Sequence, residues 1–148
     1  MSDLKPNVVH LASPDDMEQQ FYDALRQGDI ERLMAVWSDD DEVVCVHPGG
    51  PRVTGPAAIR ASFNAMFGNG GVDAHAERVR RITAHASAVH SVLERVQVRT
   101  REGPRSAWVI ATNVYQKTAQ GWRMVAHHAS PGSANEIEQS TEPAATIH

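Results

Sequence analysis

The amino-acid sequence predicts an α+β domain in which three N-terminal helices close over one face of a curved, cone-shaped antiparallel sheet. Three observations carry this. Apolar residues recur at helical spacing as far as Phe67; from Val72 the period drops to about 2 and stays there to Ser130; and the later segments are joined too tightly for anything but antiparallel neighbours. At 148 residues the chain is expected to be one domain, able to bury about two-thirds of its unfolded surface without metal or disulfide support.

Ser13, Pro14, Asp15 and Asp16 form a helix start: a hydroxyl cap, proline at the first helical position, and acids near the positive end of the dipole. Met17, Phe21, Ala24 and Leu25 continue the helix until Gly28 stops it, and Asp29 caps a shorter one with Ile30, Leu33, Val36 and Trp37. Val43 to Val46 reads as a strand ending in the turn His47, Pro48, Gly49, Gly50. Gly55 and Pro56 open a third helix carrying Ile59, Phe63, Met66 and Phe67 on one side, ended by Gly68 to Gly71. Four strands then follow, roughly 72–84, 88–101, 105–118 and 121–130, with turns at Ala86 and Ser87, Gly103 and Pro104, and Ala119 and Gln120. The domain is expected to span 14–131, after an N-terminal extension at 1–13 and before a tail at 132–148 whose Ser, Thr, Glu, Ala and Pro content predicts disorder.

A single cysteine, Cys45, excludes an internal disulfide and points to a reducing, cytoplasmic compartment. No stretch approaches the roughly 18 apolar residues of a membrane span, and no basic region followed by an apolar core opens the chain. A net charge of -4 argues against nucleic acid as a partner. The arginines at 78, 80, 81, 95, 99, 101 and 105 fall on strands without interleaved aromatic rings to stack bases. The acidic run Asp39 to Glu42 reads as a solvated loop.

Symmetric turns would set Glu94 opposite Asn113 and Asn113 opposite Ala126, with His128 one pair along beside Ala111 and Val96. Glu94, Asn113 and His128 then share the covered face with Val92, Val96, Val98, Val109, Ala111, Tyr115, Met124 and Ser130. His127, Arg95, Trp108 and Ile110 fall on the opposite face, whose mixture of charge and large apolar groups predicts a homodimer formed through the sheet. Glu94 interrupts a row of valines, where lost hydration raises a carboxyl pKa and suits it to proton transfer; a salt bridge is the structural alternative. Asn113 would orient His128 or donate to a ligand oxygen, and His128 would be a base or a polar anchor; the alternative for each is a satisfied core group, the commoner role of a lone histidine on an apolar face. His47, two residues from Cys45, belongs at the pocket mouth, and Trp37 and Phe63 belong to its walls or to the core. Cys45, His47 and His128 are chemically able to bind metal, but no ligand spacing supports this, and neither metal nor cofactor is expected.

The stretches VCVHPGG at 44–50, GPAAIRASF at 55–63, ATNVY at 111–115 and GWRMVAHHASP at 121–131 resemble the SnoaL-like branch of the nuclear transport factor 2-like superfamily, which includes ketosteroid isomerase homologues. The final stretch also resembles the close of the association domain of calcium and calmodulin dependent kinases, with Trp122, His128 and Ser130 at the recurring positions. The resemblance implies a cone-shaped, usually dimeric α+β barrel with a deep pocket. It leaves chemistry open, since members include isomerases, cyclases, dehydratases and assembly modules. Tyr115 and Glu94 are available, but the acidic pair of the steroid isomerases has no counterpart. The expected function is a pocket for a small hydrophobic molecule, with cofactor-independent acid–base chemistry carried by Glu94, Asn113 and His128. His47, Tyr115, Trp37, Ser130, Met124 and Phe63 would contact the ligand. The alternative is a non-catalytic ligand-binding or dimeric assembly module.

Overall fold

The computed structural model describes residues 12–133. The expected extension before Ala12 and the expected disordered tail beyond Ser133 lie outside the described residues. Helix α1 (Pro14–Gln27) begins at a capping box: the Ser13 hydroxyl accepts from the Asp16 amide, and the Asp16 carboxylate accepts from the Ser13 amide. It ends at Gly28, whose φ of 67° is the left-handed conformation a helix stop requires. Helix α2 (Ile30–Met34) is capped by Asp29, and α3 (Pro56–Met66) starts on proline. Strands β1 (Val44–Val46), β2 (Arg52–Thr54), β3 (Ala74–Thr83), β4 (Ser87–Thr100), β5 (Gly103–Thr118) and β6 (Gly121–Pro131) form one sheet in the order β2-β1-β6-β5-β4-β3. This is the predicted α+β layout, with two additions: the short, exposed β2, and a parallel pairing of β1 with β6.

Two details of register differ from expectation, and both move the site. The β4–β5 turn lies at Arg101 and Glu102, so Gly103 and Pro104 open β5 and pair with Thr100 and Arg99. Thr100 fixes that turn by accepting from the Glu102 amide at 3.2 Å and donating to the Gly103 carbonyl at 2.6 Å. Thr118 does the same for Gln120 and Gly121, at 3.1 and 2.7 Å. One Thr-x-x-Gly device therefore builds both hairpins, each glycine taking positive φ.

The second difference is a bulge in β6. Tyr115 pairs with Met124 but Val114 pairs with Ala126, leaving Val125 as the extra residue. It falls where β6 exchanges one neighbour for another: Met124 bonds to the Val36 carbonyl and the Ser38 amide, whereas Ala126, His127 and His128 run beside β1. Beyond the bulge every side chain changes face. His127 and Ala129 therefore point into the fold, and His128 and Ser130 point out.

The core fills the space between the helices and the inner sheet face, with Phe21, Leu33, Ile59, Phe63, Val92, Tyr115 and Met124 among its fully buried side chains. No helix among the described residues is long and apolar enough to cross a membrane.

Candidate functional site

A cavity of about 200 Å³ opens between α1, α3 and the inner face of the sheet. Leu25 comes from α1, Phe63 and Met66 from α3, and His47 and Pro48 from the turn after β1. Val72, Ala74, Val96, Ala107, Val109 and Ala129 make the remaining walls apolar, leaving Glu94, His47 and His127 as the ionisable lining groups.

Glu94 is not across from Asn113, as symmetric turns would have it: the shifted hairpin sets Glu94 opposite Val109 and Asn113 opposite both His90 and His127. Asn113 is thus four residues along β5 from the Glu94 pair, about 13 Å of extended chain. Tyr22 of α1 spans the gap. Its hydroxyl lies 2.6 Å from Glu94 Oε2, Asn113 Nδ2 donates to that hydroxyl at 3.1 Å, and Asn113 Oδ1 lies 2.5 Å from His127 Nδ1. All four groups are buried.

The donors in this chain fix its direction. Asn113 Oδ1 can only accept, so His127 carries its proton on Nδ1 and leaves Nε2 as a lone pair. Because Tyr22 accepts from Asn113, it gives its own proton to Glu94 Oε2. Any proton on Glu94 is therefore held on Oε1. Burial raises the Glu94 carboxyl to about 7, against a smaller lowering by the Tyr22 bond. Burial, then the charge of Glu94, pushes Tyr22 well above its ordinary range, so it remains a donor. Burial, aided by His47 and His128, depresses His127 to about 3 and keeps the ring neutral. Tyr22→Phe is expected to raise the Glu94 pKa further and, by orphaning Asn113 Nδ2, to cost about 1–3 kcal/mol of stability. Carboxyl titration and chemical denaturation measure the two effects.

His47 sits edge-on to Phe63 at 4.8 Å between centroids. Ser62 gives its proton to the Ile59 carbonyl at 2.8 Å, so it must accept from His47 Nε2 at 3.0 Å. Burial lowers the His47 pKa, leaving a neutral ring with an unprotonated Nδ1. Burial followed by the Glu94 charge moves the Cys45 thiol up to about 12. Cys45, His47 and His128 do not converge, since His128 is on the outer face.

Of the residues expected at the site, Glu94, His47 and Phe63 line the cavity, and Asn113 lies behind it within the hydrogen-bonded chain. His128 and Ser130 are exposed, displaced by the bulge, and His127 and Ala129 take their places. Tyr115, Trp37 and Met124 are core groups away from the cavity lining; Tyr115 packs edge-on against His90 at 5.0 Å. Tyr22 is the main group that sequence reasoning missed. Its signal was the row Glu18, Tyr22, Arg26, one turn apart and flanking the apolar row of α1.

A curled six-stranded sheet packed against helices is shared with NTF2-like proteins of cystatin-like fold. Within that class the chain belongs to the SnoaL-like domain family, whose model matches residues 15–134. Among solved structures it is similar to a candidate calcium/calmodulin-dependent protein kinase type II association domain from Thiobacillus denitrificans, with 36% identity over 82% of this chain and 96% of that one, and a TM-score of 0.74. It is also similar to a candidate dehydratase of the NTF2-like family from Streptomyces avermitilis, at 26% identity over 80% and 93% of the two chains and a TM-score of 0.71. The S. rosetta CaMKII hub shares the fold at 20% identity, 82% and 98% coverage and a TM-score of 0.65. A comparison with curated proteins finds no match.

Proposed function

We propose that this protein is a cofactor-independent acid–base enzyme acting on a small, neutral, mainly apolar hydroxyl or carbonyl compound. The observation that carries the reading is Glu94: a carboxyl in an apolar cavity, with Oε2 taken by Tyr22 and a pKa near neutrality. Such a group accepts a proton from a bound molecule and returns it at a neighbouring atom, the step shared by isomerisation and the opening of a dehydration. Asn113 and Tyr22 are positioning residues, and His127 Nε2 is the polar anchor, suited to a ligand hydroxyl. Among the described residues no Lys or Arg lines the cavity, which disfavours a carboxylate or phosphate ligand. Its volume suits one substituted ring, since a cavity of about 150 Å³ holds benzene. The similar NTF2-like candidate dehydratase supports the same class of chemistry.

The test uses 3-cyclohexenone in D₂O, with isomerisation to the conjugated ketone and deuterium uptake at the α-carbon followed by NMR. The protein should accelerate both, and Glu94→Gln should not. Equal rates with the two proteins would refute the assignment of Glu94.

A second reading, a dimeric assembly module, is favoured by the 36% identity to an association domain. The outer face supports it with Val89, Leu93, Trp108, Ile110 and Val114, a strip of half-buried or exposed apolar side chains across β4 and β5. The partner would be a second copy of the chain. Ile110→Arg is then expected to convert a dimer into a monomer by light scattering; a wild-type monomer at micromolar concentration would contradict this reading.

A further inference from the structure

One turn before Tyr22 along α1 is a cluster that the chemistry above does not use. Asp15 and Glu18 lie one turn apart on α1 and reach His90 on the inner face of β4. Glu18 pairs with His90 Nδ1, whereas Nε2 is buried and has no hydrogen-bond partner among the described residues. Nε2 instead faces Asp15 Oδ1 at 3.9 Å, too far for a hydrogen bond. One ligand atom from each of the three residues lies within 4.8 Å of the others.

With Nδ1 engaged by Glu18, the buried Nε2 is left without a hydrogen-bond partner and faces a second carboxylate at a separation too long for a direct bond. An ion seated between the ring nitrogen and that carboxylate would satisfy both. Two atoms each about 2.0–2.2 Å from one zinc ion can be up to about 4.4 Å apart, so the observed separation admits an ion without backbone movement. A cleft of about 430 Å³ bordered by Asp15, Glu18, His75 and Arg81 brings solvent to the carboxylate side of the cluster. Arg81, half-exposed, holds Asp15 Oδ1 at 2.7 Å and is the competing cation; the second Asp15 oxygen allows it to stay paired.

We propose that His90 Nε2 and the Asp15 carboxylate bind a divalent cation of the zinc or cobalt kind, with Glu18 orienting His90 through Nδ1. An imidazole ligand selects these ions over magnesium or calcium. The carboxylate–histidine pairing is the outer-shell arrangement that fixes a metal-binding ring. Only two direct protein ligands leave the remaining positions to water, so the site is exchangeable rather than structural.

The full chain, stripped of metal, is titrated with Co²⁺ by visible absorption and with Zn²⁺ by calorimetry. One equivalent per chain is expected. Asp15→Asn should weaken binding at least about tenfold, as should Glu18→Gln, in line with outer-shell losses elsewhere. Asp15 is exposed, so its variant answers even if a change at buried His90 prevents folding. His75→Asn, which removes the exposed pair with Asp73, should leave binding intact. Absence of binding, binding unchanged in Asp15→Asn, or binding lost in His75→Asn would each overturn the assignment.

Discussion

Replacing Glu94 by Gln is expected to lower turnover by roughly 10²–10⁴-fold, the usual contribution of a positioned proton-transfer group, and at the same time to stabilise the protein in alkaline solution. The second effect follows from the raised pKa. An unfolded glutamate titrates near 4.5 and the buried one near 7. Below pH 4.5 both states hold the proton and the neutral side chain contributes fully. Between pH 4.5 and 7 the unfolded chain has released its proton while the folded one still holds it, so stability falls across that window, by about 3 kcal/mol in all, and levels off above pH 7. Gln cannot titrate, so the variant lacks that loss. His127 has the opposite slope, because its depressed pKa of about 3 makes stability fall as pH drops from 6.5. That contribution is common to both proteins and cancels in the difference. Denaturant unfolding of the two proteins from pH 4 to 9 should therefore give curves that coincide near pH 4, separate between about pH 4.5 and 7, and keep a constant offset above that, the variant being the more stable. Curves parallel throughout would mean that Glu94 is not held protonated by burial.

Gly71→Ala is expected to cost about 3 kcal/mol or more, the upper end of what overpacking does. A Cβ there would lie 2.0 Å from the Arg26 carbonyl oxygen and 2.9 Å from that of Leu25. Both atoms are backbone at the end of α1, so no side chain can swing aside. The contact is also where the Val72 amide bonds to the Leu25 carbonyl at 2.8 Å, seating the entry to β3 against the helix. Leu25, Val72 and Ala74 are cavity walls, so ligand binding should weaken together with stability. Gly68→Ala is the control, since nothing lies within 4 Å of its Cβ position. It should change stability by no more than about 0.5 kcal/mol. Similar midpoints for the two variants in thermal unfolding would refute the close-approach argument.

The parts of this fold that depend on local chemistry were legible in the sequence. Ser13 to Asp16 marked the first helix, Gly28 ended it, and the change of period after the third helix separated helices from sheet. The position of Glu94 among inward-facing valines followed from alternation alone. What could not be read were events that depend on distant partners. The Val125 bulge arises where β6 passes from Val36–Ser38 to β1, and nothing near residue 125 announces it; this one inserted residue exchanged His127 for His128. The misplaced β4–β5 turn was legible in principle. Thr100 and Gly103 repeat the spacing of Thr118 and Gly121, but Gly103 followed by Pro104 resembles a turn centre more than a strand start. Tyr22 was hidden by its place beside, rather than on, the apolar row of α1. It joins Glu94 to Asn113 only because the sheet brings two strands under the helix.

The most direct test of the account is the titration of Glu94 itself, followed by the chemical shift of its side-chain carboxyl carbon in protein labelled at that position of glutamate, with Glu94→Gln giving the assignment. A midpoint near 7 that moves upward in Tyr22→Phe is the predicted result. A midpoint near 4.5, unaffected by Tyr22→Phe, would contradict the claim that an apolar cavity and Tyr22 together poise this carboxyl to exchange a proton with a bound molecule.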